Sequence, residues 1–79
     1  MQERNVNMNN SKAYILNIHY ENWSNQLWFE NEDSIEVQNT FNEAIKKLER
    51  LKKEAEDCYD YPNKVIEYFK TLGFQRVQK

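Results

Sequence analysis

The apolar residues of this chain change period once, and that change restricts the folds open to it. From residue 13 to 32 they alternate, the mark of a strand with one buried face. From residue 34 onward they recur at i, i+3 and i+4, the mark of an amphipathic helix. Strands therefore precede helices, and 79 residues leave room for one small domain.

The first run, AYILNIHY at 13–20, places Tyr14, Leu16, Ile18 and Tyr20 on one face, and Ile15, Asn17 and His19 on the other. The second, QLWFENE at 26–32, puts Leu27 and Phe29 on one face and Trp28 and Glu30 on the opposite one. Turn formers fill Glu21 to Asn25 between them. A hairpin tipped by Ser24–Asn25 pairs Trp23 with Gln26 and Tyr20 with Phe29. It gathers Tyr14, Leu16, Ile18, Tyr20, Leu27 and Phe29 on one apolar face, which a one-residue slip would split.

Residues 34–58 carry a stripe of Val37, Phe41, Ala44, Ile45, Leu48, Leu51, Ala55 and Cys58. The opposite face holds Glu43, Lys46, Lys47, Glu49, Arg50, Lys53 and Glu54, with Glu43–Lys47 and Glu49–Lys53 at the supportive i, i+4 spacing. The spacing predicts one long helix capped by Asp33, with Glu36 three residues on. A rival start at Asn39 would leave 34–38 as a third strand, but Val37 already lies on the stripe. DCYDY at 57–61 reads as a turn, and Pro62 suits the first turn of a second helix. Val65, Ile66, Phe69 and Leu72 mark its buried side. Gly73 suits a left-handed cap, with Phe74 packing back on Phe69. Residues 74–77 then form a short edge strand or trail off.

The expected architecture is α+β: a β-hairpin packed on a long amphipathic helix plus a short second helix, in the order ββαα, with a possible C-terminal strand. Residues 12–79 form this single domain, and residues 1–11 (MQERNVNMNNS), without period, read as a flexible tail in which Met8 could be the true start. A helix of some 24 residues, about 36 Å at 1.5 Å per residue, overhangs a two-stranded sheet. The second helix covers part of it, and a homodimer would cover the rest.

Eleven Asn and eight Lys beside one Gly and one Pro point to a low-GC coding sequence. The formal charge of −2 argues against a domain built for duplex nucleic acid. The basic residues Lys46, Lys47, Arg50, Lys52 and Lys53 alternate with acids, as on a solvated helix face. Apolar runs are too short to span a bilayer or form a signal peptide. One cysteine suggests a reducing, cytoplasmic setting, and Cys58 reads as a buried structural residue. No phosphate-cradling loop, CxxC, HExxH or nucleophile triad occurs, so neither catalysis, metal nor cofactor is expected.

The expected partner-binding residues are Trp23, Trp28, His19, Glu21, Glu30 and Glu32. In the hairpin above, Trp23, Trp28, His19 and Glu30 share the non-core face, and Trp is the type enriched at binding hot spots. From Glu21 to Glu43 there are six acids and no Lys or Arg, which favours a basic surface on another protein. The expectation is a small non-enzymatic protein that binds and occludes another protein. In size, composition and acidity it resembles the general style of phage-encoded inhibitors of host or defence proteins, with no motif behind the likeness. The alternative is sequestration of a nucleotide-like ligand, with Trp23, Trp28 and Tyr20 stacking a base and Lys12, Lys64 or Arg76 meeting phosphate.

Overall fold

The computed structural model describes residues 11–77. Two ten-residue strands, β1 (Ser11–Tyr20) and β2 (Trp23–Glu32), form an antiparallel hairpin. Three helices follow, α1 (Ile35–Ile45), α2 (Leu48–Glu54) and α3 (Asp60–Thr71), and then a short strand β3 (Gln75–Val77). The strand order is β1-β2-β3, so β2 lies in the centre. This is the expected ββαα order, and the C-terminal strand is present. The expected tail falls outside the described residues, except Ser11, which begins β1.

The hairpin turns three residues earlier than expected, which shifts every strand partner by six positions. Tyr20 pairs with Trp23, Ile18 with Asn25, Leu16 with Leu27 and Tyr14 with Phe29. The loop is Glu21–Asn22, and Glu21 has φ 56°, a left-handed value unusual outside Gly, Asn and Asp. Both registers share a parity, so Tyr14, Leu16, Ile18, Leu27 and Phe29 are buried on one face as expected. The difference lies in Trp23. The shorter loop yields ten continuous pairs and turns the Trp23 ring to the core side, where it packs at the margin of the buried cluster. More ladder and one more large apolar side chain out of water favour this register, against the strain at Glu21.

The long helix starts where the stripe begins, not at Asn39. Its cap is Ser34 rather than Asp33: the Ser34 hydroxyl accepts from the Val37 N–H at 3.2 Å. Asp33 and Glu36 lie on either side, where acids suit the positive end of the helix dipole. The helix does not run unbroken to residue 58. Lys46 and Lys47 donate to the carbonyls of Glu43 and Ala44, three residues back, which tightens the last turn of α1. The four-residue bond resumes from Leu51 to Lys47. No Gly or Pro marks this break. It leaves Ile45 39% exposed, yet Leu48, Leu51 and Ala55 still reach the core. Packing on the sheet and on α3 thus overrides a uniform helical propensity.

Beyond α2, Asp57 organises the turn. Its side chain accepts from the N–H groups of Tyr59 and Asp60 at 2.9 Å, while the Asp60 carboxylate accepts from the Glu56 N–H at 3.0 Å. This reciprocal bonding resembles a capping box displaced by one residue. Cys58 is half-buried in this turn instead of ending a helical stripe. Pro62 sits in the first turn of α3. At the other end, Gly73 (φ 97°) donates to Lys70 O and Phe74 donates to Phe69 O, the paired bonds of a Schellman cap. The cap drops Phe74 into the core, its ring 5.6 Å from that of Phe69.

All three helices lie over the same sheet face. Phe41 and Ala44 of α1 and Tyr61, Val65 and Phe69 of α3 close over the inward strand residues. Phe69 is central: its ring stacks on Phe29 at 4.8 Å and meets Phe41 and Phe74 at 5.7 and 5.6 Å.

Candidate functional site: the uncovered face of the sheet

Among the described residues, the three helices lie on one side of the sheet and none lies on the other. Along β1 that other side presents Ser11, Ala13, Ile15, Asn17 and His19, all exposed. Along β2 it presents Ser24, Gln26, Trp28, Glu30 and Glu32. β3 adds Gln75 beside Glu30 and Val77 beside Trp28.

The apolar centre of this face is one row across three strands: Ile15, Trp28 and Val77 are register partners in sequence. Trp28 and Val77 are half-buried and Ile15 is 45% exposed. Trp28 is held by its neighbours. Its indole N–H donates to Gln26 Oε1 at 3.0 Å, and Gln26 Nε2 donates to Asn17 Oδ1 at 3.0 Å. The polar side of the ring is thereby satisfied along the sheet surface, and its apolar body lies between Ile15 and Val77. Glu30 and Glu32 stand on one flank of the row, and the neutral polar residues Asn17, Gln26 and Ser24, with His19, on the other.

The structure therefore keeps part of the expected constellation and separates the rest. Trp28, Glu30 and Glu32 share the face and lie next to one another along β2. Trp23 does not join them, because the true register turns it inward. His19 is on the face, but its partner is Ser24, six residues from Glu30. That separation is about 20 Å at 3.3 Å per residue, too far for an acid–base pair. Glu21 sits in the turn, at the far end from Glu30 and Glu32. The acidic stretch is thus split along the hairpin, and Glu43 pairs with Lys46 at 3.2 Å on α1.

The residues weighed for base stacking are also divided. Tyr20 packs 5.7 Å from Tyr61 on the inner side with Trp23, opposite Trp28. Among the possible phosphate ligands, Lys64 lies 3.7 Å from Asp60, and Lys12 bonds to Gln38 over the Tyr14 ring. Ile15 and Val77 complete the site. Alternation alone puts Ile15 there, but Val77 needs the pairing of β3, on which three residues of sequence are silent.

Among the described residues two side chains have perturbed acidities, both on the core side. Burial raises the Tyr14 phenol above its ordinary range, with Asp33 and Glu32 adding to the effect. Burial and then Glu49 do the same for Tyr61. Neither faces the candidate site. Among the described residues no group of three or more His, Cys, Asp or Glu is placed to hold a metal, and no helix is long and apolar enough to cross a membrane. Comparison with protein-family models, curated proteins and solved structures finds no match to this chain.

Proposed function

We propose that this chain is a non-enzymatic binding protein that acts by covering a site on another protein with the sheet face that carries Trp28. The observation that carries the reading is the row Ile15–Trp28–Val77 on the sheet face opposite the three helices of the described residues, flanked by Glu30 and Glu32. A partner that fits has a small apolar depression for the Trp28 ring, with Lys or Arg on one side to meet the two carboxylates. The ring supplies the buried anchor, and the carboxylates speed encounter and fix orientation. Inhibition by occlusion follows from such contact, and the partner belongs in a reducing, cytoplasmic compartment, in keeping with the lone Cys58.

Affinity capture by the full chain from lysate of a low-GC bacterium tests this. The expected result is one protein retained in stoichiometric amount, displaced by salt and lost with Trp28→Ala. Truncating a hot-spot Trp costs about 2 kcal/mol or more, a roughly thirtyfold loss of affinity. Glu30→Lys should slow association without changing the fold. A partner held equally well by Trp28→Ala would refute the assignment of this face.

A further inference from the structure

The outer edge of β1 is a second surface, distinct from the sheet face that carries Trp28. β1 is ten residues long and lies at the edge of the sheet, and among the described residues no strand pairs with its outer side. The two-residue loop makes Tyr20–Trp23 a hydrogen-bonded pair. Even-numbered residues of β1 therefore bond to β2. The N–H and C=O groups of Ser11, Ala13, Ile15, Asn17 and His19 point away from it. Edge strands are usually shielded by Pro, bulges, shortness or outward charges. β1 has no Pro, its register runs without a bulge, and its one charged residue, Lys12, lies on the helix side. The opposite edge strand, β3, has only three residues.

We infer that β1 pairs with β1 of a second copy, antiparallel about a two-fold axis at Ile15, to give a continuous six-stranded sheet. The sequence of the strand is self-complementary about that axis. Ala13 falls opposite Asn17 of the other copy and Ser11 opposite His19, while Lys12 falls opposite Ile18, so no like charges meet. On the helix side Tyr14 falls opposite Leu16. An axis perpendicular to the sheet keeps both helical layers on one side. It also joins the two apolar rows into one: Val77, Trp28 and Ile15 of one copy continue into Ile15, Trp28 and Val77 of the other. The dimer would present two Trp28 rings on a single surface, and a partner with two matching sites would bind it with the gain of bivalency. The pairing itself stands whether or not such a partner exists.

Light scattering after size exclusion, on the full chain alone, reads the pairing without any partner. The expected mass is twice the 9.7 kDa of the chain. Ile15→Lys sets two ammonium groups opposite each other on a side chain outside the core. It should keep the circular dichroism spectrum and weaken the dimer about tenfold or more. Trp28→Ala should remain dimeric, since Trp28 is one strand in from the edge. A filtered NOE measurement on a mixed labelled and unlabelled wild-type sample should show Tyr14 Hα close to Leu16 Hα of the other copy, a contact available only to this register. A monomer at every concentration overturns the inference. So does a dimer without that NOE, one insensitive to Ile15→Lys, or one lost with Trp28→Ala, which would mark face-to-face packing instead.

Discussion

Phe69→Ala should remove more stability than any other single truncation in α3. The ring is fully buried and touches Phe29, Phe41 and Phe74, so it joins the sheet, α1 and the Gly73 cap. Truncating a buried Phe costs about 3–5 kcal/mol in transfer and cavity terms. Aromatic pairs of this geometry add roughly 0.5–1.5 kcal/mol each beyond their area. A 79-residue domain has about 4–12 kcal/mol in all, at 0.05–0.15 kcal/mol per residue. The variant should thus be largely unfolded or barely folded at 25 °C. Urea denaturation followed by circular dichroism measures this. With a slope of about 1 kcal/mol per M, the midpoint should fall by about 3–5 M or leave no native baseline. Phe69→Leu keeps most of the volume and should lose only about 1–2 kcal/mol. Tyr59→Ala, at a side chain 77% exposed, should stay within about 0.5 kcal/mol of wild type. A loss below about 1 kcal/mol for Phe69→Ala, with a native-like spectrum, would mean that α3 does not pack on Phe29 as described.

Gly73→Val should lower stability by about 1–2 kcal/mol, because a β-branched residue resists φ 97°. A melting temperature lower by roughly 4–16 °C would show it; added bulk is not the cause, since a Cβ there meets only Asn31 Nδ2 at 3.5 Å. Trp23→Ala should cost about 1–3 kcal/mol and Trp28→Ala less, the order that distinguishes a ring packed on the core from one on the opposite sheet face; equal melts would contradict it. Tyr14 is held neutral by burial, so its folded pKa lies above the unfolded value of 10.0. The unfolded chain then ionises first as pH rises past 10, and stability present below that pH falls until the folded phenol also ionises. Urea titrations from pH 9 upward should show this decline, and Tyr14→Phe should make it shallower.

Period and punctuation carried most of the fold. Alternation at Tyr14–Ile18 and Leu27–Phe29 assigned the buried face, because side-chain direction in a strand depends only on parity. Gly73 followed by Phe74 announced the cap of α3, since the left-handed position selects glycine. The helical stripe located α1 and α2 but not their junction. Lys46 and Lys47 are ordinary helix formers, and only packing against the sheet and α3 decided that the chain should break there. The turn was likewise not local: Glu21 is a poor residue for positive φ, and it is tolerated because the resulting register makes ten pairs and shelters Trp23. That choice also composed the candidate site. Parity put Trp28, Glu30 and His19 on one face, but distance along the hairpin depends on register, and register separated His19 from Glu30 and turned Trp23 away. Val77 joined Trp28 only through the return of β3 to the central strand. Periodicity in one chain fixes direction, whereas proximity between distant residues is set by the tertiary pairing that buries the most apolar surface.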